Sequence, residues 1–233
     1  MFKVTINGTA FTIDNQNPIL QTIIDNGYSV SHSCRSGRCN DCLATLECKG
    51  NVKEVLSCQY VPKSGDNFIF ERFEEIRLPK RQIYPAKIEE LTRLSKKYML
   101  VKLKLPIGKK LDFLPGQYIN IIKLGAGHRS YSVASSEGSK SISLIIQRVA
   151  GGKFSNFWFE CAKKGDLLQI QGPFGSFYMR KKPLSNEVKT IFAATGSGIA
   201  PLISMLSSYS NIINNDFHGF WSMKYSDDFF SQD

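Results

Sequence analysis

Four cysteines constrain this chain more than any other feature: Cys34, Cys39 and Cys42, with Cys58 downstream. The first three lie in Cys34-Arg-Ser-Gly-Arg-Cys39-Asn-Asp-Cys42, a C-x4-C-x2-C run. Two irons bridged by two sulfides need four thiolates, and this spacing with one more distant cysteine supplies them. A tight loop delivers three sulfurs and can turn its backbone N–H groups toward them. Gly37 gives such a loop access to positive φ. The expectation is a [2Fe–2S] cluster held by Cys34, Cys39, Cys42 and Cys58.

The fourth ligand has two candidates. Cys58 follows Cys42 after fifteen residues and sits in Val55-Leu56-Ser57-Cys58-Gln59, a short apolar strand end followed by Gln. Cys48, in Leu46-Glu47-Cys48-Lys49-Gly50, reads as a strand running into a turn, the setting of a small buried or edge residue. Cys58 is preferred and Cys48 is the competitor. Cys161, in Phe159-Glu160-Cys161-Ala162, reads as helix packing. Disulfides and zinc are the other uses of clustered cysteines. Met1 leads directly into an alternating strand, so no secretory signal is expected and the expected location is cytoplasmic, where disulfides are disfavoured. Structural zinc favours paired C-x2-C units, and this chain has one.

The length, 233 residues, suits about two domains. Hydrophobic and charged fractions of 42% and 21% are those of a globular protein. No apolar run reaches the roughly 18 residues of a membrane span, so no membrane role is expected. The net charge of +10 is uneven: residues 1–75 hold 7 basic against 9 acidic side chains, the remainder 23 against 11. A basic chain invites a nucleic-acid reading. Here the basic residues are scattered, with short clusters such as Arg180-Lys181-Lys182, and no nucleic-acid partner is expected. A solvated surface, with some help to phosphate-rich cofactors or an acidic redox partner, accounts for them.

Residues 2–6 and 10–14 read as alternating strands joined at Asn7-Gly8, a hairpin signal. Asn17-Pro18 opens a helix over 19–24 that ends at Asn26-Gly27. After the cysteine loop come strands near 43–47, 53–57 and 67–71. Arg77-Leu78-Pro79-Lys80-Arg81 reads as a linker. Short strands then follow at 98–105, 117–122, 130–134, 141–147 and 167–171, with one helix near 154–164. That spacing suggests a barrel. From Glu187 the pattern becomes an apolar strand, 188–193, a Gly-rich turn and a helix over 200–207, the opening of a βαβ unit.

Four motifs stand in order in the middle of the chain: Phe113-Leu114-Pro115-Gly116-Gln117-Tyr118, Arg129-Ser130-Tyr131-Ser132, Gly151-Gly152-Lys153-Phe154-Ser155 and Gly172-Pro173-Phe174-Gly175. An Arg can pair bidentately with a diphosphate. A Tyr offers an apolar face with a polar tip to a flat ring. Gly152 to Ser155 opens a helix whose free N–H groups can meet phosphate. In this order the motifs resemble the ferredoxin–NADP reductase superfamily. The resemblance implies that Arg129 holds a flavin diphosphate, Tyr131 packs on the isoalloxazine, and Ser132 hydrogen-bonds near N5, which makes Tyr131 and Ser132 the residues at the reacting ring. Arg129, Ser130, Tyr131, Ser132, Gly152, Lys153, Phe154 and Ser155 are then the flavin-binding set. A ferredoxin module placed N-terminal to the barrel implies FAD; the FMN-containing phthalate-dioxygenase type carries it at the other end.

Ala194-Thr195-Gly196-Ser197-Gly198-Ile199 resembles the first strand–turn–helix of that superfamily's NAD(P)-binding domain, with Thr195, Gly196, Ser197 and Gly198 at the dinucleotide. Phe217–Trp221 then reads as the second strand. The family's domain usually runs further, so this one is expected to be C-terminally truncated and residues 187–233 to be less stable than the rest. The expected fold class is α+β and multidomain: a β-grasp ferredoxin domain over 1–76, an antiparallel β-barrel flavin domain over 82–184 and an incomplete α/β nucleotide-binding domain over 187–233. The resemblance implies an NAD(P)H-dependent iron–sulfur flavoprotein reductase that passes electrons through FAD and the cluster to a redox partner protein. Its texture is most similar to reductases serving the dehydrase of CDP-dideoxysugar synthesis. Reductase components of bacterial oxygenases share the same motifs. A carrier that does not itself use NAD(P)H is the reading a shortened nucleotide domain favours.

Overall fold

A computed structural model describes residues 1–13, 16–32, 35–71, 73–76, 78–123, 127–179, 190–210 and 217–230. Ser33 and Cys34, Arg77, the Arg180-Lys181-Lys182 cluster and residues 187–189 lie outside the described residues. The chain divides into two compact units, Met1–Leu78 and Pro79–Asp233.

In the first unit, β1 (Phe2–Ile6) and β2 (Thr9–Ile13) alternate so that Val4, Ile6, Phe11 and Ile13 are buried. They turn at Asn7 and Gly8 with φ of 46° and 81°, a geometry Asn-Gly adopts readily. The Asn7 side chain donates to the Phe70 carbonyl and accepts the Phe70 N–H, both at 2.8 Å. Helix α1 (Ile19–Asp25) begins after Pro18 and buries Ile19, Leu20 and Ile23 against the strands. There follow β3 (Tyr28–Val30), β4 (Leu43–Cys48), β5 (Asn51–Leu56), β6 (Asn67–Ile69) and β7 (Phe73–Glu75). The main sheet runs β2-β1-β6-β4-β5, with β1 and β6 parallel. One helix on such a sheet fits the β-grasp expectation. The β3–β7 pair, which the sequence pattern did not announce, forms where Tyr28 stacks on Phe73 at 4.8 Å.

The second unit begins with a sheet of six antiparallel strands: β8 (Gln82–Arg93), β9 (Tyr98–Lys104), β10 (Tyr118–Lys123), β11 (Gly127–Ser132), β12 (Ile142–Gln147) and β13 (Leu167–Phe174). Their order is β11-β10-β13-β8-β9-β12. The outer strands approach each other through a Val133↔Leu144 bridge, where the Ala134 N–H donates to the Ser143 carbonyl at 2.7 Å. The sheet therefore curls into the expected barrel, around a core that includes Ile88, Val101, Ile119, Ile121 and Leu144. Between β12 and β13 lies α2 (Lys153–Asn156), continued as a π-helical stretch, Phe157–Cys161. The stretch buries three consecutive aromatics, Phe157, Trp158 and Phe159. Cys161 is exposed, contrary to the packing role expected of it, because it ends this stretch just before Ala162 turns extended.

The unit continues with β14 (Thr190–Thr195), α3 (Ile199–Tyr209) and β15 (Phe217–Ser222), the two strands being parallel. Helix α3 rests on the barrel. The fully buried Ser204 hydroxyl donates to the Ser135 carbonyl at 2.7 Å, and Ser208 accepts the Glu137 N–H at 2.9 Å. Ala200 packs in one cluster with Tyr98, Ala134 and Ile145. The last described residues return to the barrel: Asp228 pairs with Lys97 at 3.0 Å and Phe230 packs on Tyr98. The apolar strand β14 covers only its α3 side. Phe192 is 8% exposed, while Ile191 and Phe220 on the other face are 64% and 63% exposed.

The turn before β10 sets how closely α3 and the 175–179 segment approach. Gly116 has φ of 105°, and a Cβ there would lie 2.2 Å from the Phe177 carbonyl oxygen and 2.3 Å from Met205 Cε. Gly116→Ala therefore forces both strain and overlap, and we expect it to lower stability by about 3 kcal/mol. Urea denaturation followed by tryptophan fluorescence measures this.

Candidate cofactor sites

The cysteine loop enters from β3 and leaves into β4. Its backbone takes left-handed φ at Arg35 (55°), Gly37 (75°) and Asn40 (60°), the tight path that a loop folded around a small centre needs. His32, 6% exposed, anchors its start. Its Nδ1–H donates to the Val30 carbonyl at 2.9 Å, which leaves Nε2 to accept from the Arg35 guanidinium at 3.2 Å. Gln59 ties the loop to the segment after β5, its Nε2 reaching the Arg35 carbonyl at 3.2 Å and the Cys58 sulfur at 3.6 Å. Gly37 leaves room for this contact, since a Cβ there would lie 3.1 Å from Gln59 Cγ.

Cys42 and Cys58 are buried side by side, 2% and 6% exposed, and Cys39 lies exposed on the loop. Burial pushes the Cys42 thiol up in pKa, and the neighbouring Cys58 thiol adds to the rise. Cys48 stands at the far end of β4, about 20 Å along the strand from Cys42. Among the described residues no group of three or more His, Cys, Asp or Glu is close enough to hold a metal, and Cys34 is outside them. The donor chemistry fits an iron–sulfur cluster: two buried, adjoining soft sulfurs suit a metal centre whose positive charge would stabilise their thiolates.

In the barrel, β11 carries the Arg129–Ser132 motif. Alternation puts Arg129 and Tyr131 on one face and Ser130 and Ser132 on the other. Arg129 and Ser130 are exposed, and Ser130 donates to Asn120 Oδ1 at 2.7 Å. Tyr131 is half-buried. Its hydroxyl accepts the Trp158 indole N–H at 3.1 Å, with the rings edge to face at 6.2 Å. Burial raises the Tyr131 pKa, against smaller opposing pulls from that indole and from Arg129. Trp158 belongs to the helical stretch opened by Gly152–Ser155, so one hydrogen bond joins the two motifs. Ser155 is buried and its hydroxyl turns back to the Val149 carbonyl at 2.7 Å, not outward as a free phosphate donor would. Gly152 permits that closeness, since a Cβ there would lie 2.9 Å from Ser155 Oγ. The N–H groups of Lys153 to Ser155 are the first of the helix and have no intrahelical acceptor.

The other two motifs also meet. Gln117, 4% exposed, accepts the Leu114 N–H at 2.8 Å and donates to the Gly175 carbonyl at 3.0 Å. Tyr118 stacks on Phe174 at 5.6 Å, and the Arg81 guanidinium lies 5.0 Å from the other ring of that pair, Phe174. Gln117 lies in the first motif, which by itself assigns it no part. A buried Gln between two turns was the available signal, since a buried amide must be satisfied.

Thr195, Gly196, Ser197 and Gly198 form the turn from β14 into α3. Gly196 has φ of 54°, and a Cβ there would lie 2.9 Å from the Tyr98 hydroxyl. Its carbonyl accepts the Trp221 indole N–H at 3.0 Å. Trp221, too, carried no sequence signal for this part. No helix among the described residues is long and apolar enough to cross a membrane.

Comparison with known proteins assigns two parts of the chain to known domain families. Residues 4–63 match the 2Fe-2S iron-sulfur cluster binding domain, and residues 85–178 the oxidoreductase FAD-binding domain. The chain is 31% identical over 242 residues to Protein RfbI of Salmonella typhimurium, covering 99% of this chain and 72% of that protein. It is 30% identical over 248 residues to CDP-6-deoxy-L-threo-D-glycero-4-hexulose-3-dehydrase reductase of Yersinia pestis, covering 98% and 73%. The fold is similar to that of the Amycolatopsis cytochrome P450 reductase GcoB, with a TM-score of 0.72 at 20% identity over 99% of this chain and 75% of that one.

The two cysteine candidates make opposite predictions. Cys58→Ser is expected to abolish iron and sulfide binding, whereas Cys48→Ser retains about two of each per chain. Iron and acid-labile sulfide assays decide, and the reverse pattern would make Cys48 the ligand.

Proposed function

This chain belongs to the family of flavin and [2Fe–2S] reductases that includes RfbI and the Yersinia dehydrase reductase, and we propose that its electron acceptor is the dehydrase of CDP-dideoxysugar synthesis. As an oxidoreductase of this family it moves electrons from NAD(P)H to a protein partner. FAD, when bound, would supply a centre able to accept electrons in pairs and give them up singly, and a [2Fe–2S] cluster would supply a one-electron carrier. The observation that carries the choice of acceptor is the 30% identity to the Yersinia reductase across 98% of the chain.

In this reading residues 1–76 hold the cluster through Cys34, Cys39, Cys42 and Cys58, residues 82–184 bind FAD, and residues 187–233 meet the nucleotide. Arg129, exposed on β11 and without an ion pair among the described residues, holds the diphosphate. The first N–H groups of α2, at Lys153 to Ser155, face the same phosphates, and Lys153 adds a charge. Ser155 acts indirectly, by closing the turn that presents those N–H groups. Tyr131, its hydroxyl fixed by Trp158, offers its ring to the isoalloxazine, with Ser132 beside it. Thr195 to Gly198 receive the dinucleotide, where Gly196 is held between Tyr98 and Trp221.

Two measurements test this. Anaerobic NADH or NADPH is expected to bleach the flavin; a chain relaying electrons without nucleotide keeps its oxidised spectrum. Adding the Yersinia dehydrase with its substrate is expected to make NAD(P)H consumption dependent on that protein. Fast reduction of ferricyanide with no response to the dehydrase would move the assignment to an oxygenase component. Arg129→Ala removes a charge-assisted contact worth roughly 1.5–3 kcal/mol, so FAD is expected to bind about 10- to 150-fold more weakly by fluorescence titration.

A further inference from the structure

Ser57 stands where β4 and β5 leave the first sheet. The strands end in the antiparallel pair Leu43↔Leu56, and the next step of that register sets Ser57 opposite Cys42. The Ser57 N–H donates to the Cys42 carbonyl at 3.0 Å, which continues the ladder by one bond. Residues directly opposite on an antiparallel pair project to the same face, with Cβ atoms about 4.5–5.5 Å apart. Ser57 thus lies beside Cys42 and immediately before Cys58.

Its side chain is 0% exposed; its Oγ makes no hydrogen bond of good geometry among the described residues, yet it lies near enough to the Cys42 sulfur to pull that thiol's pKa down against the larger rise from burial. A buried hydroxyl without a partner is unfavourable, and Ala at the same position would avoid the cost. Among the described residues two other buried polar atoms share this state, Thr22 Oγ1 and Asp66 Oδ1. The second oxygen of Asp66 already accepts from Tyr60 and from the Lys63 N–H, so that carboxylate is held as a structural cap. Thr22 lies on α1, away from the paired thiols in sequence. Ser57 alone of the three flanks two cysteines that are buried together.

We propose that the Ser57 hydroxyl donates a hydrogen bond to the Cys42 thiolate and thereby sets the reduction potential of the cluster. The inference rests on the reading of Cys42 and Cys58 as ligands. Reduction adds one negative charge, and a donor to a ligand sulfur stabilises the more negative state, so it raises the potential. Ser57 is a positioning and tuning residue and takes no part in transfer of the electron itself.

The test uses the intact chain loaded with iron and sulfide and a redox titration followed by EPR. Ser57→Ala is expected to keep about two irons per chain and to lower the midpoint potential by about 59 mV, the shift for tenfold weaker one-electron reduction. Ser57→Thr, which keeps a hydroxyl, is expected to stay at the parent potential. A fully loaded Ser57→Ala with the parent potential overturns the proposal, as does an equal shift in both variants. If Ser57→Ala loses iron while Ser57→Thr retains it, the hydroxyl is needed at the cluster and the proposal stands; equal loss in both overturns it. The unsubstituted chain separates the two levels. Absence of a [2Fe–2S] signal there would defeat the ligand reading and this inference together, whereas a loaded parent with an unshifted Ser57→Ala defeats the inference alone.

Discussion

The indole of Trp158, 1% exposed in the barrel core, is the contact on which the flavin side of this protein depends. Its N–H reaches the Tyr131 hydroxyl and its ring meets Tyr131 edge to face. Such a pair is worth about 0.5–1.5 kcal/mol beyond its buried area, but its larger effect is positional. It fixes an edge strand, which alone would be free on one side, to the helical stretch begun by Gly152–Ser155. Tyr131 and the helical stretch that begins at Gly152–Ser155 are thereby held together. The π-helical geometry that places Phe157, Trp158 and Phe159 inward in succession makes this contact available.

The iron–sulfur side is built differently. There the backbone carries the constraint, through three left-handed residues in a short loop, and side chains tie that loop down. His32 fastens its entrance to β3, and Gln59 fastens its middle to the segment bearing Cys58. The β4–β5 register then delivers Cys42 and Cys58 to one place from positions sixteen residues apart. Burial that disfavours a lone thiolate at Cys42 becomes favourable once a cation shares the site.

Within the second unit, the α/β segment gains its footing from the barrel. Gly116 lets α3 come within side-chain reach of the turn before β10, and Ser204 and Ser208 bond the loop that follows β11. Asp228 is buried and pairs with the partly exposed Lys97, and Phe230 and Ala200 pack around Tyr98, so an ion pair and apolar contact together hold this segment. The Gly-rich turn is consequently fixed against the same barrel that carries the flavin motifs.

Much of this was determined by sequence alone. The Asn7-Gly8 turn, the alternation in β1 and β2, the cysteine spacing and the strand–turn–helix at Thr195–Gly198 are local, and local chemistry dictates them. The barrel, too, was legible, because short strands with turn signals leave few other arrangements. Only the tertiary structure decided which distant groups meet. That Gln117 bridges to Gly175, that Trp158 holds Tyr131, that Trp221 caps Gly196 and that Ser57 lies opposite Cys42 all depend on strand order and register. Nothing in a residue's own neighbourhood encodes its partner fifteen to sixty residues away. Ser155 shows the same limit: nothing in its motif announces that its hydroxyl donates to the Val149 carbonyl. Sequence sets the chemistry each segment can offer; the closing of the barrel and the pairing of strands select which of those offers face one another, because burial must satisfy every polar group it encloses.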